Sequence, residues 1–413
     1  MILLIFTNTY PYDATGEQNF LAEEIPILVR YFDRIILVPQ KPQGQLLPLP
    51  KGVEVRPDFS RRFTLSRQIL AFASSLFLHE VILDFRSRLP RSLSIDNLKK
   101  MFFFLSGARL AQKWFIHWLR EAGCSPQEVI GYTYWFTEIT MGLGWSKLEF
   151  PNLRIVSRAH GYDLYEELYK PWPLRPQSIS LLDGLFADSD IGTKYLQEKY
   201  PQFRDKYVTA LLGVPDPRGI SKPSSDGVFR IVSCSMINPI KRLGLLCDGI
   251  AAAARKRSHQ KFEWIHFGGG EERQSLSQYA SQKFPPNAVG HFPGYQSRQH
   301  LIRFYLENPV DVFANVSSTE GTPVSVMEAI SCGIPVMATA VGGNVEIVRE
   351  KNGWLLSKDP TPDEIADMLL YICDHREEAL LKRAGSRELW QERYNAEINF
   401  ETFAQKLIEI RKR

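Results

Sequence analysis

The chain has 413 residues, 44% hydrophobic and 23% charged, enough apolar material for two or three packed domains and inconsistent with intrinsic disorder. Lys and Arg number 50 against 46 Asp and Glu, and that near balance excludes general electrostatic binding to nucleic acid. Five cysteines without C-x-x-C spacing exclude a zinc site or disulfide framework and predict reduced thiols in a cytosolic protein.

The opening run Met1-Ile-Leu-Leu-Ile-Phe-Thr7 has no basic flank and reads as a buried first strand, not a signal peptide. No apolar run approaches eighteen residues, so no membrane-spanning helix is expected. Strands are predicted at Ile2–Thr7, Arg34–Val38, Glu128–Thr133, Leu153–Arg158 and Leu185–Asp188. A second series follows at Phe229–Ser235, Phe262–Phe267, Val310–Asn315 and Ile334–Thr339. Apolar strands alternating with helical patterns predict parallel sheets covered on both faces. Residues 214–227, rich in Pro, Gly and Ser and without apolar periodicity, read as a linker between two halves, 1–213 and 228–395. Each half is large enough for a doubly wound sheet, and such a pair suggests an enzyme with a ligand cleft.

Within the first half, Gly16 follows the first strand and would let backbone approach a phosphate or sugar closely; Glu17 next to it reads equally as a helix cap. Residues 51–120 carry 13 Lys and Arg against 5 Asp and Glu. Basic residues here flank aromatic turns such as Phe102–Phe104, so the stretch 61–120 fits either a helix lying on an anionic membrane or a core helix with solvated arginines. Arg158-Ala-His-Gly-Tyr-Asp163 ends a strand, which sets His160 at a carboxyl edge before glycine.

The most informative segment is Asn315-Val-Ser-Ser-Thr-Glu-Gly-Thr-Pro-Val-Ser-Val-Met-Glu328. Thr322 is the expected N-cap, Pro323 the first helical residue, and Cys332-Gly333 the stop. The amides of Gly321, Thr322 and Val324, with the positive end of the helix dipole, predict an anion site. Glu320 faces that site and Glu328 lies about two turns into the helix. Carboxylates beside a bound anion suit a polyhydroxylated ligand whose hydroxyls they accept from, such as a sugar diphosphate.

Together with Phe267-Gly-Gly-Gly-Glu271, Gly294-Tyr295, Gly333-Ile-Pro-Val336 and Gly342-Gly343-Asn344, this E-x7-E block resembles the GT-B fold glycosyltransferases of family 4. The matched text covers about 120 residues in family order, and weaker resemblance extends over nearly the whole chain. The resemblance implies two Rossmann-like α/β domains facing across a cleft, with a terminal helix, 396–413, crossing back to the first. It implies transfer, with retention, from a nucleoside-diphosphate sugar (UDP foremost) to a glycan or lipid-linked hydroxyl in capsule, exopolysaccharide or lipopolysaccharide assembly. No cofactor or metal is implied, because protein cations stabilise the leaving diphosphate.

By the same resemblance Glu320, His160 and Lys241 are the catalytic candidates. Gly16, Arg242, Gly269, Gly270, Glu271, Tyr295, Gly321, Thr322, Pro323, Val324 and Glu328 would bind the donor, and Asp163 would face the acceptor. Met236 stands where the family has an arginine, and Arg242 is the residue that could supply the second charge. The implied place is the cytoplasm or the inner face of the plasma membrane. A non-catalytic sugar-nucleotide-binding protein, an epimerase and an inverting transferase are the alternatives.

Overall fold

The computed structural model describes residues 1–14, 16–78, 95–169 and 172–412 and falls into two compact units. The first comprises Met1–Leu212 with Glu397–Arg413, and the second comprises Gly213–Ala396.

In the first unit seven parallel strands lie in the order β3-β2-β1-β4-β5-β6-β7. They are β1 (Ile2–Thr7), β2 (Arg34–Pro39), β3 (Val53–Val55), β4 (Val129–Thr133), β5 (Arg154–Ala159), β6 (Gly184–Ala187) and β7 (Tyr207–Thr209). Every residue of β1, β4 and β6 is buried, as continuous apolar strands between two helical layers must be. On one face Phe6 packs edge-on against Phe59 and Trp114. On the other, helix Gln18–Leu28 and terminal helix Ala396–Lys412 cover the sheet, with Phe403 edge-on to Phe186. A fully buried ion pair, Arg158 to Glu24 at 2.5 Å, sits under this layer, its guanidinium 4.3 Å from the Phe403 ring.

The second unit holds six parallel strands in the order β10-β9-β8-β11-β12-β13. They are β8 (Val228–Cys234), β9 (Lys261–Phe267), β10 (Ala288–Gly294), β11 (Val312–Asn315), β12 (Val336–Thr339) and β13 (Gly353–Leu356). All nine strands predicted from sequence are present, the first with the same ends and the others with ends shifted by one or two residues. The three-residue β3 and β7 lie at the two edges of the first sheet, too short to carry a periodicity signal.

Residues 214–227 are not a free linker. Ser221 N donates to Cys332 O, Val310 N to Lys222 O, and Ser224 N to Asp311 Oδ1, at 2.8–2.9 Å, so the stretch lies against the second unit. It packs through backbone bonds, which leave no apolar period.

The basic stretch 61–120 forms helices Leu65–Ser75 and Ile95–Ala122, with residues 79–94 outside those described. Its three phenylalanines divide: Phe104 is buried, Phe102 packs 5.2 Å from Phe72, and Phe103 is 58% exposed. Leu65, Ile69, Leu70, Phe77 and Leu98 are exposed as well, and so are Arg61, Arg67 and Lys99.

Candidate active site

In the second unit the chain runs outward from β8 through β9 to β10, then returns to β11 on the other side of β8. The loops after β8 and β11 therefore diverge at a topological switch point, where open α/β sheets bind ligands. Most of the motifs singled out in this half of the sequence fall on loops at the carboxyl ends of strands: 235–242 after β8, 268–272 after β9, Tyr295 after β10, 316–323 after β11, and 340–343 after β12, whereas 333–336 leads into the amino end of β12.

Lys241 and Glu320 meet across the switch point. Lys241 Nζ donates to Glu320 Oε1 at 2.7 Å, and the same oxygen accepts from Asn315 Nδ2 at 3.0 Å and Ser317 Oγ at 2.6 Å. Asn315 in turn accepts from Ser317 N, and Asn344 Nδ2 donates to Thr339 O. Asn315 and Ser317 thus hold Glu320, and Asn344 stands behind Asn315, its Nδ2 3.5 Å from Asn315 Oδ1. All three stand in motifs quoted from the sequence, but side chains that act through another residue have no spacing signature.

The glycines of these motifs are explained by close approach. A Cβ on Gly342, whose φ is +45°, would lie 1.8 Å from Glu320 O, and one on Gly343 would lie 2.0 Å from Gly321 O. Gly343 N also donates to Gly321 O, so the glycine pair clamps the Glu320 loop. Gly268, Gly269 and Gly270 do the same for the loop after β8: Ile237 N donates to Gly269 O, and a Cβ on Gly268 would lie 1.8 Å from Ser235 O. Gly270 and Glu271 are exposed on this surface, as are Tyr295 at 68% and Met236 at 70%.

The helix after Glu320 differs in detail from expectation. It runs Val324–Ser331, with buried Pro323 as N-cap and no side-chain cap bond, so Thr322 does not cap it. Proline at the cap has no N–H and takes an extended ψ, which moves the start one residue on. Glu328 consequently lies little more than one turn inside. The end is as expected: Gly333 has φ +69°, Gly333 N donates to Ile330 O and Ile334 N to Ala329 O, a Schellman stop. Among the described residues the N–H groups of Gly321 and Thr322, in the loop just before the helix, meet no protein acceptor. Glu328 is paired with Arg298, Nε to Oε1 at 3.0 Å. Arg298 starts helix Arg298–Glu307 and belongs to no motif, so sequence reasoning missed it.

Three assigned residues stand in settings that the sequence did not show. Arg242 does not offer a second free cation. Its Nε donates to Val316 O, its Nη2 to Ser317 O and Lys358 O, and its Nη1 pairs with Asp359. A left-handed φ of +50° swings this side chain under the loop after β11.

In the first unit, the loop of Gly16 has its own anion. The Glu17 carboxylate accepts from Asn8 N, Thr9 N and Tyr10 N at 2.7–2.9 Å and from Trp135 Nε1 at 2.8 Å. These amides already have a carboxylate acceptor, so Gly16 borders a filled nest. Asp163 is likewise internal: its buried carboxylate accepts from His160 N at 2.6 Å and Phe136 N at 2.7 Å, and burial pushes its pKa up to about 6. It fixes the turn at His160 and is 1% exposed. His160 is buried, with Nδ1 2.9 Å from Asp188 Oδ2.

The five cysteines are free thiols, and burial pushes Cys234, Cys247, Cys332 and Cys373 up to about 12, which leaves them inert as nucleophiles.

Residues 223–387 match the family of glycosyl transferases group 1. The chain is similar to the O-antigen biosynthesis glycosyltransferase WbnH of Escherichia coli, 34% identical over 208 residues, 49% of this chain and 55% of that one. It is also similar to the putative colanic acid biosynthesis glycosyltransferase WcaL of E. coli K12, 28% identical over 219 residues, 50% of this chain and 52% of that one. The chain thus spans about half the length of the curated relatives it matches. Among solved structures, the lipopolysaccharide outer core galactosyltransferase WaaB superposes with a TM-score of 0.67 at 14% identity, over 99% of both chains. Anabaena HepE in complex with UDP and glucose does so with a TM-score of 0.62 at 14% identity, over 99% of this chain and 100% of that one. At these identities the likeness is one of fold. The match to the glycosyl transferases of group 1 lies within the second unit, and the fold of the chain is of the GT-B class, as the sequence motifs implied. No helix among the described residues is long and apolar enough to cross a membrane.

Proposed function

We propose that this protein transfers a sugar, with retention of configuration, from a nucleoside-diphosphate sugar to a hydroxyl of a glycan or lipid-linked acceptor in surface-polysaccharide assembly. The observation that carries the reading is the meeting of Lys241 and Glu320 at the switch point beside the open amides of Gly321 and Thr322. As the bond from the sugar to the diphosphate breaks, negative charge grows on the leaving phosphate. A lysine 4 Å from that charge is worth about 4 kcal/mol at an effective dielectric near 20. The incoming hydroxyl bonds to the anomeric carbon on the face the diphosphate leaves, and its proton passes to the departing phosphate oxygen. Glu320 is assigned to the sugar hydroxyls, Glu328 to the ribose hydroxyls and His160 to positioning the sugar. No metal is required in this scheme, since Lys241 and the loop amides carry the charge.

UDP is the preferred nucleotide, in keeping with HepE, whose structure holds UDP and glucose. The polysaccharide setting rests on the names of WbnH and WcaL. The exposed apolar row Leu65, Ile69, Leu70 and Phe103, set among Arg61, Arg67 and Lys99, is proposed as a peripheral contact with the anionic inner face of the plasma membrane.

One observation favours a second reading, a sugar-nucleotide-binding protein without turnover. Met236 replaces an arginine and Arg242 is spent on carbonyls, so Lys241 is the cation left on that loop for the diphosphate. The deciding experiment measures nucleotide release from UDP-, GDP- and ADP-sugars with chelator present, wild type against Glu320→Gln. Release of one diphosphate, lost in the variant, supports transfer. Tight binding of a diphosphate with no release, acceptors included, supports the second reading.

A further inference from the structure

β5 and β6 are paired in register at Ala159 and Ala187, so the next residues, His160 and Asp188, leave adjacent strands within reach of each other. Nδ1 of the imidazole lies 2.9 Å from Asp188 Oδ2, with the two side chains 8% and 5% exposed. The ring is held on its other sides by Tyr134 and Trp135, with centroids at 4.6 and 4.8 Å, and Trp135 is itself anchored through Nε1 to Glu17. Nε2 is buried and meets no protein partner among the described residues.

A neutral imidazole carries one N–H, and a carboxylate can only accept, so the proton sits on Nδ1 and Nε2 keeps its lone pair. A buried acceptor left unmet costs about 1–3 kcal/mol, which a ligand donor would recover. We infer that Asp188 is a positioning residue: it holds His160 in the Nδ1–H tautomer so that Nε2 accepts a hydrogen bond from a sugar hydroxyl. A phosphate oxygen, which has no proton to give, does not suit this nitrogen. The inference rests on the transferase reading for the identity of the ligand, but the tautomer is a property of the unliganded chain.

The test is long-range proton–nitrogen correlation of the imidazole rings in the full chain, with the His160 signal assigned through His160→Gln among eight histidines. Wild type should show the Nδ1–H form alone. Asp188→Ala and the near-isosteric Asp188→Asn should both move the ring towards the Nε2–H form that free imidazole side chains favour. In the nucleotide-release assay both should lower kcat about 10–100-fold, the scale for losing a partner that orients a ligand-contacting group, with KM for the donor within about threefold. An Nε2–H ring in wild type would overturn the inference. So would Asp188→Ala keeping the wild-type tautomer and turnover, since the ring would then be set without an acceptor at position 188. If wild type releases no nucleotide from any donor, the transferase reading fails, and the tautomer measurement still decides the role of Asp188.

Discussion

Lys241 Nζ and Glu320 Oε1, 79 positions apart in sequence, stand 2.7 Å apart and tie the loop after β8 to the loop after β11. Asn315 and Ser317 share the same carboxylate oxygen, so the pair is the centre of a network and not an isolated surface bridge. Lys241→Ala and Glu320→Gln should each lower nucleotide release about 10²–10³-fold, the usual scale for one lost electrostatic contact at a reacting centre. Stability should change by only about 1 kcal/mol, because the lysine is partly solvated. Wild-type turnover in both variants would remove this pair from the chemistry.

The glycine clamp gives a second expectation. Gly343→Ala places a methyl against the carbonyl of Gly321, and Gly342→Ala adds a left-handed φ to a similar collision with Glu320 O. Each should cost about 2–4 kcal/mol in urea unfolding and weaken donor binding by displacing Glu320. Gly244→Ala, in helix Leu243–Lys256 with open space around the new methyl, should instead stabilise by about 0.5–1 kcal/mol. Equal effects at the three positions would contradict the clamp.

Glu17 closes its own loop. Removing the carboxylate leaves the N–H groups of Asn8, Thr9 and Tyr10 and the Trp135 indole without their acceptor. Glu17→Ala should therefore lose about 2–4 kcal/mol in equilibrium unfolding, and Glu17→Gln less, since one acceptor oxygen remains. A change within about 0.5 kcal/mol for Glu17→Ala would mean that the loop repairs itself with solvent.

His266 supplies a pH dependence. It lies fully buried against Ser233, whose hydroxyl also accepts from Trp264 Nε1, and burial pushes its pKa down from 6.5 to about 4. Between those values the unfolded chain binds a proton that the native chain does not. Stability from this group is complete above pH 6.5 and is lost as pH falls towards 4, by up to about 3 kcal/mol. The difference in unfolding free energy between wild type and His266→Gln should narrow over that window and be flat above it. A constant difference from pH 4 to 8 would refute the assignment.

For the proposed membrane contact, Leu65→Ser, Leu70→Ser and Phe103→Ser combined should abolish cosedimentation with vesicles rich in anionic lipid while leaving the melting temperature within a few degrees. Phe102 and Phe104 are unsuitable for this test, because one packs on Phe72 and the other is buried. Unchanged vesicle binding would move any membrane contact elsewhere on the chain.

The sequence by itself determined the two-sheet α/β class, the strands long enough to show an apolar run, and the glycine and E-x7-E loops at their carboxyl ends. Those features are local: strand burial, helix stops such as Cys332-Gly333, and close-approach glycines leave their mark at short spacing. The tertiary structure alone decided which charges are available. Arg242 and Lys241 are neighbours, yet one is bound to three carbonyls and the other faces Glu320, because a left-handed turn separates their directions. Arg298 against Glu328 and Asp188 beside His160 are likewise partners brought together by strand order. Hydrogen bonds between residues far apart in the chain leave no periodicity for a single sequence to show.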